Sequence, residues 1–292
     1  MAGDLTPVSV EAAELGECAR WDAERGELLW VDIMAGVLRR AVEDGDRLRT
    51  VAELSIGEPL SAIAPIADRE GWLCAAGRGF RHLAPDGTVT RLLDTEPADV
   101  RMNDAACDLQ GRFWAGSMAY DQRAGGGRLQ RCDPDGGVRV VLPTATIANG
   151  LDWSPDGGTL YYADSGLGIL TAYDPETMIG RVLVRPDRGV VDGLTVDDEG
   201  AIWAALNGGG EVRRYAPDGS TLAVLPLSVS QPTSVAIGGA SGRRLFVTTA
   251  FENMSREQRA REPEAGRVFA AEVGVGAPPV RPYRGKLPGF QG

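Results

Sequence analysis

The sequence predicts an all-β fold, a six-bladed β-propeller in which every blade contains four antiparallel strands. Three observations lead to this prediction. A short strand marked by an aromatic residue or leucine recurs six times, with gaps of 41 to 47 residues. A turn that contains Asp, Gly or both precedes each marker, and four short strands fit within one repeat. A fixed period of this length is typical of repeat architectures, and four strands per repeat are typical of propeller blades.

The marker strands define the period. The markers are Trp30, Leu73, Trp114, Tyr161, Trp203 and Phe246. Turn residues precede them at Asp22 to Gly26, Asp68 to Gly71, Asp108 to Gly111, Asp156 to Gly157, Asp198 to Gly200 and Gly239 to Gly242. Asp and Gly favour chain reversal between strands, because they tolerate turn conformations that other residues avoid. All six tryptophans fall in the strands that flank these turns, where we expect them to fill the core between blades.

The fourth and fifth repeats show the elements of a blade most clearly. In the fourth, strands are predicted at 151–154, 159–163, 169–173 and 181–184; in the fifth, at 201–205, 211–215 and 221–224. The last repeat contains the one helix-like stretch, near 255–261, which we expect to be a surface excursion. We also expect the N-terminal strand to join the C-terminal repeat and close the ring.

Length and composition are consistent with one propeller domain spanning residues 1–292. The chain has 43% hydrophobic residues, enough for a sizeable core, and propellers routinely use this length as one domain. Its net charge is −11 and its basic residues cluster no further than adjacent pairs, which argues against a nucleic-acid partner. No apolar run approaches the ~20 residues of a membrane span, and the N-terminus lacks a basic-then-apolar leader pattern. We therefore expect no membrane partner and a cytoplasmic location.

The cysteines suggest neither a disulfide framework nor a zinc site. The four cysteines, Cys18, Cys74, Cys107 and Cys132, lack C-x-x-C spacing. In a long chain without an export signal, such cysteines are expected to be reduced and buried.

Polar residues stand 11 to 13 positions before every marker, just ahead of each predicted first strand. They are Glu17, Ser61, Asn103, Asn149, Asp192 and Ser234. The first strands of propeller blades line the central channel, so equivalent positions should form a ring at one mouth. Two carboxylates and two carboxamides suit Ca²⁺, Mg²⁺ or Mn²⁺, and Zn²⁺ or Fe²⁺ also accept such oxygen ligands. The single histidine, His82, falls in an outer strand, which excludes a histidine-based metal site.

Each ring residue also has a simpler interpretation. Asn149-Gly150 and Asp192-Gly193 are sequences that a tight turn would use. Glu17 is less easily explained without a site, because an acid within Leu15-Gly16-Glu17-Cys18, next to a strand of core residues, would be costly to bury unpaired. The equivalent placement of all six residues favours a site over six independent turns.

Seven separated segments resemble, in the same order, the gluconolactonase and regucalcin (senescence-marker protein) family of sugar lactonases. They are residues 16–22, 29–33, 101–104, 111–118, 148–151, 192–194 and 231–234. The resemblance implies a six-bladed propeller with one catalytic divalent cation, for which Ca²⁺ and Zn²⁺ are the leading candidates. It implies Glu17, Asn149 and Asp192 as metal ligands, Arg101 and Asn103 as contacts to substrate hydroxyl and carbonyl groups, and Asp121 as an acid that touches the sugar.

The expected activity is metal-dependent hydrolysis of a small sugar lactone to the aldonic acid. Hydrolysis requires a polarised carbonyl, an activated water and stabilisation of the tetrahedral oxyanion, and one cation assists all three. With His82 remote, a carboxylate is the available base, and Asp192 is the candidate. The alternative is that Asp192 is only a ligand. Gluconolactone, xylonolactone, arabinonolactone and galactonolactone fit equally well, and the pattern favours no oligomeric state.

A function of a different class is a non-catalytic propeller that binds calcium or a protein partner. Arg101 and Asn103 favour the enzyme, because a purely structural ion has little use for an additional cation and amide in its cavity. There is no G-x-S-x-G elbow and no glycine-rich phosphate loop between a strand and a helix.

Overall fold

The computed structural model describes residues 3–289 and confirms the six-bladed propeller. Six four-stranded antiparallel sheets account for almost all of the regular structure. In the first five sheets the strands neighbour each other in chain order, so each blade is a meander. Residues 1–2 and 290–292, the two ends of the predicted domain, lie outside the described residues.

The blades follow one another along the chain. The first contains β2 (Gly16–Asp22), β3 (Glu27–Asp32), β4 (Val37–Asp44) and β5 (Arg47–Ser55). The second contains β6 (Leu60–Ile66), β7 (Arg69–Ala76), β8 (Gly79–Leu83) and β9 (Val89–Asp94). The third contains β10 (Val100–Cys107), β11 (Phe113–Ala119), β12 (Gly127–Cys132) and β13 (Val138–Ala145). The fourth contains β14 (Ala148–Trp153), β15 (Leu160–Asp164), β16 (Ile169–Tyr173) and β17 (Gly180–Val184). The fifth contains β18 (Val190–Val196), β19 (Ile202–Asn207), β20 (Glu211–Tyr215) and β21 (Thr221–Pro226). The sixth contains β22 (Pro232–Gly238), β23 (Arg244–Thr249), β24 (Phe269–Glu272) and β1 (Thr6–Pro7).

The sixth blade closes the ring as predicted. Its outermost strand is β1, which pairs antiparallel with β24 through Thr6 opposite Ala270 and Pro7 opposite Phe269. The Val8 amide extends this contact by donating to the carbonyl oxygen of Val268 at 2.8 Å. The first and last strands of the chain therefore share one sheet.

The marker residues occupy the second strand of every blade and are buried, as expected. Trp114 and Trp153 from neighbouring blades meet edge to face with ring centroids 5.6 Å apart. In two blades a buried aspartate fixes the marker, because Asp108 Oδ2 accepts the Trp114 indole N–H at 2.7 Å and Asp197 Oδ2 accepts that of Trp203 at 2.8 Å. The predicted turn at 198–200 is observed, and the buried Asp197 that holds Trp203 directly precedes it.

The predicted strand bounds are partly right. The strands at 169–173 and 211–215 match β16 and β20, whereas β14 begins three residues before the predicted 151. The helix α1 (Arg256–Arg261) is capped by Ser255 and lies between β23 and β24. The four cysteines are free and buried, as expected. No helix among residues 3–289 has the length and apolar character needed to cross a membrane.

The first strand of each blade carries a register irregularity where the predicted ring residues lie. The pairing of first and second strands shifts in all six blades, for example between Met102 and Ala105 and between Val191 and Leu194. The ring residues thus belong to the first strands and do not precede them, which corrects the expectation. A bulge changes the direction in which a side chain points, and bulges are frequent beside active sites.

Candidate active site

A cavity of about 250 Å³ lies at the mouth of the channel where the first strands begin. Five predicted site residues line it: Glu17, Arg101, Asn103, Asn149 and Asp192. These residues come from four different blades, so only the closed ring brings them together. A larger cavity of about 560 Å³, lined by Arg20, Asp152 and Arg281, lies where the same strands end, at the opposite mouth. There Arg281 is paired with Asp152 at 2.8 Å.

The glycines that follow Asn149 and Asp192 serve strand packing and not tight turns. Neither Gly150 nor Gly193 has a positive φ. A Cβ on Gly150 would lie 2.4 Å from the Asp192 carbonyl oxygen, and one on Gly193 would lie 2.8 Å from that of Thr233. Glycine therefore lets neighbouring first strands approach closely at the mouth. The simpler turn interpretation of these two pairs is wrong.

The two carboxylate oxygens of Asp192 differ in their hydrogen bonding. Its Oδ2 accepts a hydrogen bond from Asn207 Nδ2 at 2.9 Å, while Oδ1 is buried with no hydrogen-bond partner among residues 3–289. Burial raises the pKa of Asp192 to about 7, and the nearby Asp104 adds to the rise. A buried acceptor without a donor is costly unless a ligand satisfies it.

Glu17 lines the same cavity, and its carboxylate is buried like that of Asp192. One carboxylate oxygen accepts the Cys18 amide at 3.1 Å. Burial raises the pKa of Glu17 well above its usual value, and repulsion from Asp192 and Asp104 raises it further. Cys18 has a φ of +52°, which is uncommon for a residue other than glycine. The residue with this uncommon conformation is thus the one whose amide binds the Glu17 carboxylate.

A chain of hydrogen bonds orients the amides. Arg101 Nη1 donates to Asn103 Oδ1 at 2.7 Å, and Asn103 Nδ2 donates to Asn149 Oδ1 at 2.8 Å. Asn149 Nδ2 then donates to Ser165 Oγ at 2.8 Å, and that hydroxyl donates to the Val191 carbonyl oxygen at 2.6 Å. The chain spans three blades and sets which atom of each amide is the oxygen.

Arg101 supplies positive charge to the cavity wall. It is 6% exposed, and no carboxylate among residues 3–289 lies within ion-pair distance of it. Burial lowers the pKa of Arg101. The nearby carboxylates of Glu252, Glu17 and Asp192 oppose this effect, because they favour its charged form. A buried guanidinium without a bound carboxylate remains available to an incoming ligand.

The donor set fits a hard divalent cation. Within residues 3–289 no three His, Cys, Asp or Glu side chains form a group that could hold a metal, so the Glu17 and Asp192 carboxylates would need amide oxygen beside them to complete a site. The partnerless Asp192 Oδ1 and the repulsion that Asp192 exerts on Glu17 are costs that a bound cation would offset. Oxygen donors of this kind are those that Ca²⁺, Mg²⁺ and Mn²⁺ prefer.

Three of the predicted residues are not part of the cavity wall. Asp121 is outside the cavity wall; its side chain is 63% exposed and pairs with Arg123 at 3.0 Å, while the next residue, Gln122, lines the cavity. The two ring serines bind backbone, since Ser61 Oγ donates to the Met102 carbonyl oxygen and Ser234 Oγ accepts the Ala19 amide. They connect neighbouring first strands.

Sequence reasoning missed several lining residues. Ser165, Asn207, Met118 and Ala250 each stand four positions after a marker. A second count forward from the markers would have found them, because the second strands end at the same mouth. Gln231 also lines the cavity and lies in a segment that carries the resemblance, but no role was predicted for it. Glu252 and Asn253 line the cavity as well, and they follow no repeat spacing.

Comparison with known proteins identifies the family. The SMP-30/Gluconolactonase/LRE-like region matches residues 15–251. A 6-deoxy-6-sulfogluconolactonase from Pseudomonas putida is 34% identical, over 89% of this chain and 92% of the relative. Regucalcin from Gallus gallus is 32% identical, over 94% of this chain and 96% of the relative. A solved structure described as a calcium-binding protein, regucalcin from Agrobacterium tumefaciens, superposes with a TM-score of 0.89 at 26% identity, covering 97% of this chain and 98% of that one.

The match extends over most of the chain and includes the first strands that carry Glu17, Asn103, Asn149 and Asp192. The chain therefore belongs to the SMP-30/gluconolactonase/LRE-like family of sugar lactonases.

Proposed function

We propose that this chain hydrolyses an aldonolactone to the aldonic acid with one divalent cation held by Glu17, Asn149 and Asp192. The observation that carries the proposal is the partnerless, buried Oδ1 of Asp192, in the same cavity as Glu17 and the unpaired Arg101. We further propose a single domain spanning residues 1–292 that acts in the cytoplasm, with no nucleic-acid or membrane partner.

The residues of the cavity have separate roles in the proposed reaction. Bound among these oxygens, a divalent cation would polarise the lactone carbonyl and lower the pKa of water. Asn207 holds Asp192 Oδ2, so Oδ1 is the oxygen free to bind the cation or to receive a proton. Water adds to the carbonyl carbon as Asp192 takes a proton from that water, and the ring C–O bond breaks as this proton is returned to the ring oxygen.

Arg101 and Asn103 position the substrate. Arg101 donates to Asn103 through one nitrogen, and its remaining N–H groups are available for ring hydroxyls or for the developing oxyanion. Asn103 uses Nδ2 to orient Asn149, so its amide is both a wall of the pocket and a support for a proposed ligand.

The alternative is a calcium-binding propeller without catalysis. The description of the Agrobacterium tumefaciens regucalcin structure as a calcium-binding protein favours it. Arg101 argues against it, because a buried cation beside a purely structural ion would weaken binding of that ion.

A panel of aldonolactones tests the proposal. Metal-stripped protein should be inactive, and adding back Ca²⁺, Zn²⁺, Mg²⁺, Mn²⁺ or Fe²⁺ should restore lactone opening to different extents. Full activity after chelation and dialysis would rule out the metal mechanism. Tight Ca²⁺ binding without opening of any lactone under any cation would instead support the non-catalytic alternative.

A further inference from the structure

We propose that Glu252 is the specificity-determining residue at this mouth, binding sugar hydroxyls and selecting uncharged polyhydroxy lactones over those that carry a sulfonate or phosphate. This inference rests on the proposed lactonase function of the same cavity.

The charges of the cavity wall single out Glu252. The wall contains three acids, Glu17, Asp192 and Glu252, and one cation, Arg101. Glu17 and Asp192 each accept a hydrogen bond from the protein, and both are proposed ligands. The Glu252 carboxylate accepts no hydrogen bond and forms no ion pair with any residue in the range 3–289. It is therefore the wall carboxylate left to a substrate.

Asp121, the acid expected to touch the sugar, is already engaged elsewhere. Its carboxylate accepts from both the backbone and the side chain of Arg123, and it lies outside the wall. Glu252, from the sixth blade, is by contrast the acid that most favours the charged form of Arg101. The acid facing the substrate thus comes from a different blade.

Glu252 is held on a well-anchored segment. The amide of Phe251, the preceding residue, donates to the Glu14 carbonyl oxygen at 3.0 Å, and the guanidinium of Arg259 lies 3.7 Å from the centroid of its ring. Gln231 Nε2 donates to the backbone oxygen of Glu252 at 3.2 Å. Asn253 follows with a φ of +59°, a strained conformation that turns the chain at the rim.

The chemistry follows from this placement. A carboxylate accepts hydrogen bonds from hydroxyl groups, and such charge-assisted bonds are stronger than neutral ones. A sulfonate or phosphate on the substrate would meet Glu252 as a like charge, and such a juxtaposition is unfavourable for binding. A neutral polyol ring gains from the same residue.

Steady-state kinetics of the metal-loaded full chain test the inference. The variant Glu252→Gln keeps the shape and removes the charge. It should raise KM for an uncharged aldonolactone by about 10-fold and leave kcat within about 2-fold. Glu252→Lys should raise kcat/KM for a sulfonate-bearing lactone relative to its uncharged counterpart. Glu257→Gln, which removes the same charge from exposed helix α1, is the matched control and should change neither parameter.

A binding measurement separates recognition from turnover. An anhydroalditol, which has the ring hydroxyls but no carbonyl, should bind the wild-type chain and bind Glu252→Gln about 10-fold more weakly by calorimetry. A rise in KM with Asp121→Asn but not with Glu252→Gln would overturn the inference while lactonase activity stands. Absence of lactone opening in the wild-type chain with every cation would refute the proposed function itself.

Discussion

Asn207 Nδ2 donates a hydrogen bond to Asp192 Oδ2 at 2.9 Å and so leaves Oδ1 of the same carboxylate as the buried acceptor without a partner. Asn207 is the last residue of β19, and Asp192 lies in the register shift of β18 beside it. A side chain of the second strand thus determines how the first strand presents its carboxylate to the cavity.

Replacing Asn207 with alanine should weaken metal binding. Without the amide, Asp192 loses the bond that fixes its orientation, and the loss of such a supporting contact typically costs about 10- to 100-fold in metal affinity. Calorimetric titration of stripped protein measures the change. Gln231→Ala is the control, because Gln231 lines the same cavity but bonds to the Glu252 backbone. Equal affinities of Asn207→Ala and wild type would contradict the prediction.

Asp192→Asn should abolish metal-dependent lactone opening and stabilise the metal-free fold. The substitution removes a buried carboxylate that is costly to desolvate and that repels Glu17, so the free energy of unfolding in chelator should rise by on the order of 1 kcal/mol. Denaturant unfolding and a lactone assay on the same preparation measure both effects. Asp46→Asn removes an exposed charge and should do neither. A metal-free variant less stable than wild type would be the contrary result.

The stability of the metal-free protein should fall as pH rises towards neutrality. The folded pKa of Asp192 is raised to about 7, and that of Glu17 is also raised, above the unfolded values of roughly 4. The folded state therefore binds more protons in this window, and its stability is lost as pH rises through the folded pKa. Thermal unfolding in chelator at about pH 5.5 and about pH 8 should show the lower Tm at the higher pH.

A bound cation should reverse this trend, because it competes with the protons that Asp192 and Glu17 would otherwise bind. The increase in Tm produced by saturating cation should thus be larger at the higher pH. A metal-free Tm that climbed between the two pH values would show that these carboxylates are ionised without cost.

Asp197→Ala should destabilise the fifth blade much more than Asp198→Ala. Asp197 is completely buried and accepts hydrogen bonds from the Ala201 amide, the Trp203 indole and Arg214, so its removal leaves buried donors unpaired. We expect a loss of about 3–5 kcal/mol, against about 0.5 kcal/mol for the exposed Asp198. Chemical denaturation gives both values. Similar losses for the two variants would show that the bond to Trp203 contributes little.

The sequence predicts most of the fold because the propeller repeats its turn chemistry and its markers. The role of Asp197, which accepts the Trp203 indole N–H, is not predicted from the sequence, since Asp197 and Asp198 look alike until burial distinguishes them. Backward counting finds Glu17, Asn103, Asn149 and Asp192 because equivalent first-strand positions meet at one mouth. The register shifts that turn these side chains have no signature in residue type.

The remaining site residues escape prediction for physical reasons. Asn207 and Ser165 follow the repeat and were accessible to a forward count from the markers. Glu252 belongs to a segment unique to the sixth blade, between β23 and α1, so no periodicity indicates its position. Its proximity to Arg101 arises only when the sixth blade meets the third across the channel mouth.

The pairing of β1 with β24 sets the order of events during synthesis. The strand that completes the last blade leaves the ribosome before the strands of the other blades and pairs with a neighbour that is encoded more than 260 positions later. Five blades can form from consecutive strands as they emerge, since each contains only local hairpins. Ring closure therefore follows the synthesis of all six blades. The channel mouth, which is built from several blades, is completed at the same step.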